Sequence, residues 1–216
     1  MRLVTEPYLD QKVRWPASGR HILAQFDAES VVVYQAYRPE IGHFAARNDY
    51  FGGEFSMSRM SWIKPNFLWM MYRSGWGTKQ DQEVTLAVRL RRAAFDEILR
   101  LAVHSSFVPE VYGSEASWKR ALAGSGVRLQ WDPDHGPSGA PVGRRAIQLG
   151  LRGEVLARYA ETWPLEIEDI SDFVSEQRAN AKSPHNLLVT PREAVYPVAD
   201  VEVAARLGVS GAPTAR

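Results

Sequence analysis

The 216-residue chain contains no cysteine, and that absence removes disulfides, thiolate nucleophiles and thiolate metal sites together. Charge of one sign is equally scarce. Its 26 Lys and Arg against 25 Asp and Glu leave a formal net charge of +1. Domains that grip nucleic acid through a broad basic surface carry a marked positive excess, so nucleic acid is not the favoured partner, although a local basic groove fits the count. Long apolar runs are missing too: none approaches the roughly 20 residues that span a bilayer. The opening stretch MRLVTEPYLDQKVRWP has no apolar signal-peptide core. Together these absences lead to the expectation of a soluble, cytoplasmic protein without a membrane partner.

Familiar chemical motifs are absent as well. The chain has no G-x-x-x-x-G-K-S/T phosphate loop, G-x-G-x-x-G turn, G-x-S-x-G elbow or H-E-x-x-H zinc helix. Its five histidines, at 21, 43, 104, 135 and 185, are widely separated. Zinc sites usually show closely spaced ligand pairs, so no metal is expected. The sequence specifies no cofactor and no oligomeric state.

What is present suits a globular fold. Apolar residues make up 45% and charged residues 24% of the chain, ordinary values for a packed domain. The organisation read from it is a single domain over residues 1–200, then a C-terminal extension over 201–216 whose end, Gly211 to Arg216, is disordered. Val31 to Tyr37, VVVYQAY, is β-branched and aromatic and predicts a buried strand ended by Arg38-Pro39. A short helix follows over Ile41 to Tyr50. Pro65 opens a helix that runs to Ser74 and closes at Gly75 and Gly77. Being apolar on nearly every side, that helix is expected at the centre of the protein.

Further along, Glu83 to Leu90 alternates as a strand, and Arg92 to Val103 is an amphipathic helix. Ser114 caps a helix to Leu122. The strand Val127 to Trp131 is stopped by the turn Asp132-Pro133-Asp134-His135-Gly136. Then come a strand at Arg145 to Leu149, a helix at Gly153 to Thr162, a strand at Leu165 to Ile170, and a helix at Asp172 to Ala181 behind a Ser171 cap. From Pro184 onward four prolines predict irregular chain. Helices and strands joined by several tight turns predict an α+β fold, with a mixed or antiparallel sheet and one largely buried central helix.

Candidate chemistry concentrates in Arg59 to Gln80, RMSWIKPNFLWMMYRSGWGTKQ, which holds three of the seven tryptophans. Ser74 to Lys79 is the nearest thing to an anion-binding loop, with Lys79 as its charge. It follows a helix C-terminus, however, where the dipole disfavours anions, so a glycine helix stop is the simpler reading. Trp62, Trp69 and Trp76 are spaced by seven. Trp69 is expected in the core, and Trp76, beside the glycines, in a pocket. Arg38, Arg59 and Arg73 supply planar forks suited to phosphate or carboxylate. A helix so apolar has little reason to carry Arg73 unless its charge meets an anion. Arg38, Arg59, Arg73, Trp76 and Lys79 are therefore the expected ligand-binding set.

For acid–base work the candidates are Glu40, Glu54, His104 and Asp132. Glu166 and Glu168 share a strand face and are expected to be solvated. No catalytic residue is assigned.

The strings AYRPEIG, RMSWIKPNFLWMMYRSGWGTKQ, VRLQWDP and RRAIQLGLRG resemble the domain-of-unknown-function 4291 family of bacterial and fungal proteins, from about Val31 to Tyr196. The resemblance implies one domain and no established activity. From the residues themselves, the expectation is a small enzyme acting on a nucleotide or another phosphorylated small molecule, for instance by nucleotidyl or ADP-ribosyl transfer. The alternative is a non-catalytic module for RNA, single-stranded nucleic acid or a protein partner.

Overall fold

A computed structural model describes residues 3–211. The chain is α+β, with antiparallel and mixed sheets. A three-stranded antiparallel sheet places Val84–Arg91 between Ser30–Tyr37 and Pro164–Asp169. A second, mixed sheet is built on the long hairpin of Val127–His135 and Pro141–Leu151. Ala102–His104 extends it in parallel at one edge, and Ser61–Ile63 pairs antiparallel with the last residues of the hairpin. Among the described residues, no helix is long and apolar enough to cross a membrane.

The period of two in a strand sends alternate side chains to opposite faces. Here both faces of the three-stranded sheet are covered. Val31, Val33, Leu86, Val88 and Leu90 enter one apolar cluster, with Phe95, Ile98 and Tyr159 from the helices Arg92–Leu101 and Gly153–Glu161. Val32, Tyr34 and Ala87 enter a second cluster, with Phe67, Leu68 and Met71 from the helix Phe67–Ser74. Burial on both sides explains why VVVYQAY reads as a continuous apolar run rather than an alternating one.

The helix Phe67–Ser74 is central, as its composition requires, but two residues emerge from the core. Phe67 to Met71 and Ser74 are buried, whereas Tyr72 and Arg73 are exposed. The charge of Arg73 is thus solvated at the last turn, and the expected need for a buried counter-ion does not arise. Asn66 caps the start, its Oδ1 accepting the Trp69 N–H at 2.7 Å. Gly75 ends the helix in the left-handed conformation, at φ +60°.

A second cap comes from far along the chain. Glu193 is buried, and its Oε1 accepts the Phe67 N–H at 2.6 Å while Oε2 accepts from Asn66 Nδ2 at 3.1 Å. Burial pushes its carboxyl up to about 8, against the hydrogen bond from Phe67. At pH 9, where the group is a carboxylate with two acceptor oxygens, Glu193→Gln forces an amide nitrogen against another donor. That isosteric change is expected to cost about 1–3 kcal/mol, read as a lowered urea midpoint; an unchanged midpoint would remove Glu193 from the cap.

Several segments differ from the sequence-based expectation. The strand from Val127 runs on through Pro133 to His135, and the turn falls at Gly136 to Ala140, where Gly136 N–H donates to the Ala140 carbonyl. Pro133 is accommodated beside a bulge in the pairing with Pro141–Leu151. Ser171 does not cap its helix by side chain but starts it, its Oγ accepting the Thr85 N–H. Glu166 and Glu168 are half-buried beside Arg89 and Leu3, not fully solvated.

The proline-rich segment after Pro184 is ordered by pairing. Val189–Pro191 joins Thr5–Pro7, and Ala194–Val195 joins Leu23–Ala24. The boundary expected at residue 200 is also crossed: Val201–Leu207 is a helix capped by Asp200, and Leu207 sits in the main core. The disorder expected for Gly211 to Arg216 falls, beyond Gly211, outside the described residues.

Candidate functional site

The two main sheets meet at an antiparallel bridge between Tyr34 and Lys64, with Tyr34 N–H donating to the Lys64 carbonyl at 2.7 Å and the reverse bond at 3.2 Å. Beyond it, one strand pairs with Val84–Arg91 and the other with Pro141–Leu151. The end of Ser30–Tyr37, the segment from Glu54 to Lys64, and the last turns of Phe67–Ser74 enclose a cleft of about 640 Å³. Arg38, Arg59, Lys64 and Arg73 line it, with Glu54 and Asp81 as its acidic side chains. Trp62 forms part of the wall and lies close over Gly150, where an added Cβ would stand 2.6 Å from the Met60 sulfur and 3.0 Å from the indole.

Lys64 is the unusual member. It is only 6% exposed, and its Nζ donates to one acceptor, the Trp62 carbonyl at 3.3 Å. Burial, reinforced by the charge of Arg73 and opposed by Asp132, lowers its ammonium to about 8. A buried lysine without a paired carboxylate is costly, and a lowered pKa is what turns an ammonium into a usable amine near neutral pH. Its position is rigid: the Tyr34 bridge holds its backbone and Pro65 follows it.

Beside Lys64 lies a buried polar network. Gln35 Nε2 donates to Ser61 Oγ at 2.7 Å and to the Tyr37 hydroxyl at 2.8 Å, while Gln35 Oε1 accepts from the Tyr159 hydroxyl at 2.6 Å. Tyr37 and Ser61 share a further bond of 2.6 Å. Burial raises the phenols of Tyr37 and Tyr159 above their ordinary range, so both stay neutral donors. Satisfied networks of this kind hold a site in one geometry.

Of the five expected ligand-binding residues, three converge and two do not: Arg38, Arg59 and Arg73 line the cleft, whereas Trp76 and Lys79 are outside its lining. Arg38 is ion-paired with Glu54, with Glu40 at 3.8 Å from its Nε. Among the described residues, Arg59 and Arg73 have no carboxylate within ion-pair distance. Trp76 packs edge-on against Phe67 and donates its indole N–H to the Pro137 carbonyl. Lys79 Nζ donates to the Arg73 carbonyl, a C-terminal cap of the helix.

The Ser74–Lys79 loop is not an anion cradle. The N–H groups of Gly75, Trp76, Thr78 and Lys79 donate to backbone carbonyls, and that of Gly77 donates to Ser74 Oγ. The helix-stop reading holds. Trp69 is buried as expected, in a stack with Tyr72 and His135.

Of the acid–base candidates, Glu54 reaches the cleft, already paired to Arg38. Asp132 instead accepts from Gln130 and Gln148. His104 is buried against the Tyr112 hydroxyl, and burial lowers it to about 4. Among the described residues no group of three or more His, Asp or Glu side chains could hold a metal ion. Sequence reasoning missed Lys64, Gln35, Tyr37 and Ser61. The one available signal was a lysine between an apolar strand and a Pro-Asn helix start, in Trp62-Ile63-Lys64-Pro65-Asn66.

Residues 21–196 match the family described as Domain of unknown function (DUF4291). The chain belongs to that family. The cleft residues Arg38, Arg59, Lys64 and Arg73 all fall inside the matched region, so the DUF4291 portion contains the whole candidate site. No curated protein matches the chain.

Proposed function

We propose that this DUF4291 protein is an enzyme acting on a nucleotide or a similar phosphate-bearing small molecule bound in the cleft. One observation carries the reading: Arg59 and Arg73, without an ion pair among the described residues, stand with Arg38 around a buried lysine that has no carboxylate partner among them. Planar guanidinium forks bind phosphate oxygens bidentately. A cleft of this size falls within the range of small-molecule sites. Trp62 supplies an aromatic surface for a base, and Lys64 supplies a reactive group that a pure binding site has no use for. A cytoplasmic location fits a nucleotide-dependent enzyme.

Binding to the native state raises apparent stability in proportion to ligand saturation. ATP, GTP, ADP-ribose and inorganic phosphate should therefore be compared for their effect on the melting temperature. At least one nucleotide is expected to raise it. Arg73→Ala should weaken that ligand by roughly 1–3 kcal/mol, the scale of a charge-assisted hydrogen bond, while the unliganded fold keeps its stability because the side chain is exposed. No shift with any nucleotide, or equal affinity in the variant, would overturn the reading.

A second reading, a non-catalytic module for RNA or single-stranded nucleic acid, draws on Trp62 as a stacking platform beside arginines. It predicts affinity that falls steeply with salt and does not depend on the Lys64 amine.

A further inference from the structure

We propose that Lys64 is a covalent nucleophile that takes the nucleotidyl group of a nucleoside triphosphate onto its Nζ. This rests on the phosphate-ligand reading of the cleft. Three features of the site converge on it.

The first is position. Lys64 lines the cleft yet is nine-tenths buried, and among the described residues only the Trp62 carbonyl accepts from its Nζ. A lysine placed for structure would meet a carboxylate at ion-pair distance. The acidic side chains of the cleft lie elsewhere, Glu54 being engaged by Arg38. Fixed on both sides by the Tyr34 bridge and Pro65, the side chain is set on rigid backbone, as covalent chemistry requires.

The second is charge. Arg59 and Arg73 line the cleft without a carboxylate at ion-pair distance among the described residues, and Arg38 beside them shares its charge with Glu54. A triphosphate that enters with magnesium, which offsets part of its charge, suits that supply: one free arginine orients the α-phosphate, and the other holds the pyrophosphate and neutralises the charge it gains on departure.

The third is protonation. Burial and the neighbouring Arg73 favour the neutral amine, which is the attacking form.

The step balances simply. The lone pair of neutral Nζ attacks the α-phosphorus of the triphosphate, which enters as its magnesium complex. A P–N bond forms, and the bond from the α-phosphorus to the bridging oxygen breaks. Pyrophosphate leaves with that electron pair, and one amine proton passes to water. An acceptor hydroxyl then displaces Nζ from phosphorus, giving a nucleotidylated product and the free lysine.

The test uses the full chain with ATP, GTP, CTP and UTP, each labelled at the α-phosphate, in the presence of magnesium. The expected result is label on the denatured protein from at least one of them, resistant to alkali and released by acid or hydroxylamine. Label placed at the γ-phosphate should not transfer. Mass spectrometry of the labelled peptide should place the nucleotidyl group on Lys64, a result that needs no variant. Label should fall to background in Lys64→Met and Lys64→Arg.

Label on another residue, or label that persists in Lys64→Met, overturns the inference. So does a nucleotide that raises the melting temperature without leaving label, and in that case the phosphate-ligand reading stands. If no nucleotide either binds or labels, both fail.

Discussion

Leu68→Asp is expected to yield an insoluble or unfolded protein. Leu68 is 2% exposed, in the cluster that joins the helix Phe67–Ser74 to Val32, Tyr34 and Ala87 of the central sheet. A carboxylate there has no water and no basic partner in that apolar cluster, and it removes a side chain that fills the helix–sheet contact. Burying an unpaired charge and opening a core cavity are among the few mechanisms that exceed about 4 kcal/mol for one substitution. Domains of this kind have only about 5–15 kcal/mol in total. Soluble yield and the urea midpoint measure the effect directly. A variant with the parent's midpoint would move the helix to the surface and dissolve the cleft wall that Met70 and Arg73 provide.

The elements most legible in the sequence were those whose determinants are local. VVVYQAY with Arg38-Pro39 after it, the Gly75 stop and the Ser114 cap each depend on residues within a turn of one another, and each is found where local chemistry puts it. Pro133 shows the limit of such reasoning. Its dipeptide neighbourhood says turn, but eleven residues of partner strand, Pro141–Leu151, hold the backbone extended. The segment after Pro184 misleads in the same way, since its order comes from strands near the N-terminus.

The site divides along the same line. Arg38, Arg59 and Arg73 could be picked out because guanidinium groups near element ends are a compositional signal. The decisive property of Lys64 is burial, and that is created by a bridge to Tyr34 and by the meeting of two sheets. Locally, only its place between an apolar strand and a Pro-Asn helix start hints at it. Trp76 and Lys79 were drawn toward the site by sequence proximity, yet the three left-handed residues Gly75, Trp76 and Gly77 turn the chain so that one packs on Phe67 and the other caps the helix.

Lys64→Met is expected to make the unliganded protein more stable at neutral pH, and the gain should shrink as the pH rises. Methionine keeps an unbranched stem of similar reach and carries no charge to desolvate. In the native state the ammonium loses its proton near 8, against 10.5 in the unfolded chain. Below about pH 8 the lysine is charged in both states, and the whole cost of burying it is present. Between about 8 and 10.5 the unfolded chain binds more protons than the native one, so stability of the parent rises with pH. Above 10.5 the amine is neutral in both states and the penalty has gone. At 1.36 kcal/mol for each pH unit, the difference between variant and parent should fall by roughly 3 kcal/mol across that window. Groups titrating in both proteins cancel from the comparison, so urea midpoints at pH 7, 8, 9 and 10 suffice. A difference that stays flat would mean that Lys64 is not held in a desolvated cleft. A parent protein more stable than the variant at pH 7 would make the lysine a structural residue. A gain in stability on removing it, together with loss of nucleotide labelling, is the pattern of a residue kept for chemistry at the expense of the fold.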